Sequence, residues 1–188
     1  TLKVPTKQEI AKAQTTNAKA YEFYLLGKHK FFTRENKDDL YIARELLKKS
    51  IEIDENLISA ELALGYTYFD QFKYDEAFGI FSKCLEKSYQ IGEKRYIANS
   101  LKAVGEIYWR EEEIDKGMQY FQDALKIFQE INDKNGLGHT YRNIGNLTAM
   151  IGELDNALIF FSKSQDAFFE LGDDNIESER TLNNIGNV

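Results

Sequence analysis

The chain has 188 residues, 43% of them apolar and 13% aromatic, which excludes a disordered chain and suits one compact domain or a short solenoid. Net charge is −7 but uneven: residues 1–50 carry 11 Lys/Arg against 6 Asp/Glu, and residues 51–188 carry 13 against 25. The acidic body argues against nucleic-acid binding, which needs clustered cations; the single cysteine, Cys84, excludes an internal disulfide; and no run nears the ~20 apolar residues that span a bilayer.

The lone proline, Pro5, leaves the rest of the chain free to be helical throughout. Residues 1–17 read as a linker or a short helix, since Thr6-Lys7-Gln8-Glu9 fits a capping box. Beyond them the apolar period predicts helices in pairs. First helices fall near 18–32, 57–70, 95–110 and 136–150, with partners near 38–53, 73–90, 114–131 and 154–171. Turns are expected at Gln71 and Phe72, at residues 111–113, and at Gly152 and Glu153. A last helix opens near Ile176 and reaches the final residue, Val188. The expected units are therefore 18–56, 57–94, 95–135, 136–175 and a partial 176–188.

A fixed period underlies the pairs. Gly65, Gly105 and Gly145 are 40 residues apart, as are Asp75, Asp115 and Asp155, and Phe81, Phe121 and Phe161. Ala77, Gly117 and Ala157 form one small-residue column, and Cys84, Ala124 and Ser164 another. A small residue lets two helices approach, and a Phe one turn later fills the space beside it. The aspartates are placed to cap the second helices and to favour their positive dipole ends. In the first unit Gly27, Ala43, Leu47 and Ser50 take these columns, with four extra residues assigned to the turn at 33–39. In the fifth, Asn183-Asn184-Ile185-Gly186-Asn187 matches Arg142-Asn143-Ile144-Gly145-Asn146 at an offset of 41.

At these residues, across nearly all of 18–188, the chain resembles the tetratricopeptide repeat family. The 40-residue period is longer than the usual ~34 and resembles the variant of kinesin light chains and of bacterial and animal signalling adaptors. The family's helix-breaking proline is absent; Glu55 stands about there in the first unit. The resemblance implies an all-α fold, a right-handed α–α superhelix of antiparallel helix pairs. A weaker resemblance covers Leu2-Lys3-Val4, residues 6–10 and residues 20–28. It is to the repeat region of bacterial multidomain signalling proteins that carry an adenylate/guanylate cyclase, kinase or TolB-like domain upstream.

In such a solenoid the first helices line the concave face. Helical spacing about each glycine then puts Tyr24, Lys28 and Phe31, then Leu62, Tyr66 and Phe69, on that face. Further along come Lys102, Glu106 and Trp109, then Arg142, Asn143 and Asn146, then Asn183, Asn184 and Asn187. The expected groove is aromatic in its first half and polar in its second. Asparagines can both donate to and accept from an extended peptide backbone, and Lys102 and Arg142 can hold a carboxylate. In the family an Asn just before the glycine often holds the peptide backbone, and Asn143 and Asn184 match that position. Aromatics at helical spacing serve core packing as readily as ligand contact, and both readings stay open here.

No catalytic constellation emerges. His29 and His139 have no ligand spacing around them, Cys84 reads as buried filler, and the run Glu111-Glu112-Glu113 is a solvated turn. Gly136-Leu137-Gly138 lacks the Lys-Ser/Thr of a phosphate loop, and Asp173-Asp174-Asn175 resembles a helix cap more than a metal site. The expectation is a non-enzymatic module without cofactor or metal that binds a protein or peptide in its groove. The alternative is a regulatory or self-association domain of a larger bacterial signalling protein, pairing through an apolar C-terminal end. No nucleic-acid partner and no membrane insertion are expected. A cytoplasmic location is expected, and Thr1 without a methionine points to a fragment.

Overall fold

A computed structural model describes residue 15 and residues 17–171. These hold eight helices and no strand. In chain order they are α1 (Ala18–Phe32), α2 (Lys37–Ile53), α3 (Ile58–Phe69), α4 (Tyr74–Ile91), α5 (Lys94–Arg110), α6 (Ile114–Glu130), α7 (Lys134–Met150) and α8 (Leu154–Phe169). The chain divides into two compact halves, one ending at Ile91 and the other beginning at Gly92. In the N-terminal half α1 lies on α2 and α3 on α4, and α2 and α3 join the two hairpins. The C-terminal half repeats the scheme with α5 on α6 and α7 on α8, joined through α6 and α7. Links of three or four residues force each pair antiparallel. The expected helix near Ile176 and the expected capping box before residue 10 lie outside the described residues.

The repeating columns are inter-helix locks. A Cβ built on Gly105 would lie 2.8 Å from the Phe121 ring, and one on Gly145 would lie 2.6 Å from Phe161. Gly65 is closed off in the same way by Phe81, and Gly27 by Leu47 at 2.8 Å. Each ring sits where a side chain would otherwise stand, and Phe81, Phe121 and Phe161 are almost wholly buried. The second small column adds a polar stitch. Ser50 donates to the carbonyl of Ala20 at 2.7 Å and Ser164 to that of Gly138 at 2.8 Å, each acceptor lying seven residues before its column glycine. Gly136 and Gly138 are further notches, filled by Phe128 and Phe168.

The turns repeat as well. Phe72, Glu112 and Gly152, 40 residues apart, all have positive φ (60°, 61° and 84°). So do Gly92 and Asn132 (77° and 51°), which lie in the links to the following first helices. A left-handed residue ends each of these helices, and only at the glycines is it free of steric cost.

Two expectations need correction. The aspartates at 115 and 155 are not caps: α6 and α8 begin one residue earlier, and neither start has a side-chain cap hydrogen bond. They lie inside the first turn and act through the helix dipole alone. The extra residues of the first repeat are not mainly loop. The link at 33–36 is as long as that at 70–73, and α2 instead starts six residues before Ala43, where α4 starts three before Ala77. The insertion became helix because Asn36 caps it, accepting from the Asp39 N–H at 3.0 Å, and because Leu40 is buried with Phe31 and Ala43.

Asp39 completes that start. Its carboxylate accepts from the Glu35 N–H at 2.9 Å and pairs with Lys30, contacts that hold its pKa below the ordinary value, the backbone N–H foremost. A depressed native pKa means that the stabilisation is complete above the unfolded-state value of about 4 and is lost as the pH falls through the lower native value. Asp39→Asn is therefore expected to lower stability at neutral pH and to flatten its fall on the acid side. Urea unfolding of both proteins between pH 7 and pH 2.5 checks this; parallel curves would remove Asp39 from the acid response.

Arg44 of α2 ties the first hairpin to the second. It donates to the Thr67 hydroxyl at 2.9 Å, the Thr67 carbonyl at 2.7 Å and the Gln71 amide oxygen at 2.6 Å, with its guanidinium 4.1 Å from the centre of the Tyr68 ring. Three carbonyl or hydroxyl acceptors at the end of α3 are thus satisfied by one side chain.

Candidate functional site

The polar positions expected on the first helices come together most closely in the C-terminal half, where α5 and α7 run side by side. Lys102, Glu106 and Trp109 follow one face of α5 at spacings of four and three. Lys102 donates to Glu106 Oε1 at 3.2 Å, and the side-chain amide of Asn143, from α7, donates to that same oxygen at 2.8 Å. The three side chains are enclosed: those of Lys102 and Glu106 are 12% and 13% exposed, and Asn143 is buried. Arg142 lies 3.1 Å from His139 Nδ1, and Asn146 is half-buried one turn further on.

Trp109 closes the row. Its ring rests on the cluster of Phe121, Ile144 and Leu147, its indole N–H donates to the Met150 thioether at 2.9 Å, and Arg110 stacks on it at 4.4 Å. A thioether is a weak acceptor, and Met150 is 52% exposed, so the row ends in apolar surface with a polar handle.

In the N-terminal half the expected aromatics are engaged in packing. Tyr24 lies on Ala20, Leu57 and Ala60. Burial pushes its phenol above the ordinary pKa, with the Ser59 hydroxyl acting the other way. Lys28 is exposed, its ammonium 5.9 Å from the centre of the Tyr24 ring. Tyr66 seats against Phe31, Leu40 and Ala43, with its ring 5.0 Å from Phe81. Phe69 meets Tyr66 at 6.2 Å and Tyr74 at 5.5 Å. Phe31 and Leu62 are buried. Asn183, Asn184 and Asn187 lie outside the described residues.

Sequence reasoning missed the contact of His139 with Arg142. Its spacing of three from Arg142 on one helix was the available signal. It also missed Met150, which nothing in the sequence marks as a partner for Trp109. Gly136 and Gly138, weighed as a phosphate loop, lie inside α7 and receive phenyl rings. Cys84 is fully buried, and its thiol is pushed up chiefly by that burial. Among the described residues no group of three or more His, Cys, Asp or Glu is arranged to hold a metal, and no helix is long and apolar enough to cross a membrane.

A sequence model of the tetratricopeptide repeat matches residues 56–130 and again 96–168, together more than half of the chain. The chain belongs to the tetratricopeptide repeat family. For a tetratricopeptide repeat protein the hairpins, glycine notches and buried phenylalanines are the repeat itself, and the fold class is the all-α solenoid. Solved structures agree on the fold. The apo form of RapI aligns with a TM-score of 0.70 at 18% identity, over 95% of this chain and 71% of its own. BtubC from P. vanneervenii aligns at 0.67 and 17%, over 97% and 83%. Aspartyl phosphate phosphatase F from Bacillus subtilis aligns at 0.70 and 18%, over 89% of this chain and 44% of its own. A comparison with curated proteins gives no match.

Proposed function

We propose that this tetratricopeptide repeat protein captures an extended segment of a partner protein along its first helices, with the face shared by α5 and α7 as the principal site. Family membership supports the broader statement, a protein–protein interaction module. The observation that carries the finer one is the joined row of Lys102, Glu106 and Asn143, continued by Arg142, Asn146 and the half-buried Trp109. Partly enclosed polar groups beside an aromatic anchor are what an extended peptide needs: partners for its backbone and a surface for one apolar side chain. In the N-terminal half Tyr24, Lys28, Tyr66 and Phe69 would offer a contact of their own, and the sequence repeat assigns Asn183, Asn184 and Asn187 to the same role.

The test is a panel of fluorescently labelled octapeptides read by anisotropy. Trp109→Ala combined with Asn146→Ala is expected to weaken the best binder at least about tenfold, the scale of one lost anchor, with the far-UV circular dichroism unchanged. Undiminished binding in that variant would move the site elsewhere.

A second reading is a regulatory or self-association domain of a larger signalling protein. One similar structure is named as an aspartyl phosphate phosphatase. The apolar end expected at 176–188 lies outside the described residues, but on α8 Leu154, Leu158 and Phe169 are 45%, 37% and 74% exposed. On this reading Leu158→Asp changes the sedimentation behaviour while the Trp109 variant does not.

A further inference from the structure

Glu106 stands out on the face of α5 and α7 by the uneven use of its two oxygens. Both the Lys102 ammonium and the Asn143 amide donate to Oε1. No described residue donates to Oε2. A carboxylate has about four acceptor sites, so half of its capacity stays open in a side chain only 13% exposed. The same arrangement occupies Lys102 and Asn143, two of the groups suited to a ligand carboxylate. An incoming carboxylate would have to displace Glu106 from them and would meet its charge at close range.

The chain itself shows that one of its carboxylates can serve two cations. In the N-terminal half Glu61 Oε1 lies 2.8 Å from the Lys87 ammonium and 3.8 Å from that of Lys83. The surroundings of Glu106 favour the same outcome. Residues 92–171 carry 13 Asp/Glu against 9 Lys/Arg. The run Glu111-Glu112-Glu113 follows α5 directly, one turn beyond Trp109. A ligand lying along α5 from Glu106 to that turn therefore passes an acceptor, an aromatic ring with Arg110 stacked on it, and then carboxylates.

We propose that Glu106 determines ligand class at this face: the partner segment is basic, it places a lysine ammonium or arginine guanidinium on Glu106 Oε2, and acidic segments are turned away. The inference rests on the proposed peptide-binding role and gives it a sign.

The test uses the whole chain and three labelled octapeptides in which alanine alternates with lysine, glutamine or aspartate. Their anisotropy is measured at low and at moderate salt. The wild-type chain is expected to bind the lysine peptide at least about tenfold more tightly than the aspartate peptide, the factor that ~1.4 kcal/mol corresponds to, with the margin shrinking as salt rises. Glu106→Gln keeps the shape and removes the charge. It is expected to cost the lysine peptide about tenfold and to bring the aspartate peptide level with it or ahead. Lys102→Met, which removes the competing cation, is expected to tighten the lysine peptide and keeps the inference testable should Glu106→Gln fold poorly. Preference for the aspartate peptide in the wild type, or a preference that neither variant moves, overturns the inference while leaving peptide capture intact. Failure of every peptide to bind, with the wild type fully folded, overturns peptide capture and the inference together.

Discussion

Phe121→Ala is expected to lower the unfolding free energy by about 3–5 kcal/mol, the range for truncating a buried phenylalanine. Phe121 has no exposed surface, touches Ile144 and Leu147, and occupies the notch that Gly105 leaves open. The converse substitution, Gly105→Ala, is expected to be destabilising although alanine is the better helix former by about 1 kcal/mol. Its Cβ would lie 2.8 Å from two atoms of the Phe121 ring and 3.1 Å from Tyr120 Cβ, so the neighbouring helix has to give way. Equilibrium denaturation by urea reads both. The pair also forms a cycle: in Phe121→Ala the added methyl meets no ring and only Tyr120 Cβ is left to yield, so Gly105→Ala costs less than it does in the wild type. A methyl that costs as much with the ring gone would show that the notch does not hold it.

The second large effect concerns Glu61, a buried carboxylate in a column that holds Leu101 one repeat later. Its partner Lys87 likewise corresponds to Ile127. Lys87→Ile alone is expected to destabilise by about 2–4 kcal/mol, because it leaves a buried charge with only the distant, exposed Lys83 and the weakly donating Cys84 thiol to answer it. It also removes the hydrogen bond from Lys87 to the Glu55 carbonyl at 2.6 Å. Adding Glu61→Leu should recover most of that loss, since replacing a buried ion pair by apolar residues of similar volume is often neutral or stabilising. The double variant copies what the next repeat already contains. Thermal unfolding of the two singles and the double decides it: a double variant less stable than Lys87→Ile would mean that the ion pair contributes something an apolar pair cannot replace.

The sequence carried the repeat almost completely, because the lock between Gly105 and Phe121 needs particular residue sizes at particular spacings, and such a need leaves a periodic trace. Helix ends were legible where the apolar period breaks, at Gln71 and Phe72, at 111–113 and at Gly152 and Glu153, whereas the left-handed residue at 72, 112 and 152 is Phe, Glu and Gly and leaves no common trace. Capping was misread because Asp115 and Asp155 lie one residue inside the helix, a displacement that composition does not reveal. The four residues of the first repeat were assigned to the wrong element because a polar run such as Asn36 to Asp39 suits a loop, whereas the Asn36 cap and the burial of Leu40 make it helix.

The candidate site was legible as positions and not as partnerships. That Lys102, Glu106 and Asn143 share a face follows from helical spacing; that two donors converge on one oxygen does not. In the N-terminal half the ambiguity over Tyr24 and Tyr66 was real, since a first-helix aromatic can lean on the neighbouring hairpin and still border the exposed face.

Because Gly27, Gly65, Gly105 and Gly145 each lie in the same hairpin as the side chain that fills the notch, each pair of helices brings its own fastening. A whole period can then be gained or lost in inheritance, and the remaining hairpins keep their internal seating. On the proposed peptide-binding role, what such an event changes is how many side chains a bound strand meets, so reach along a partner can vary between descendants without a redesign of the core.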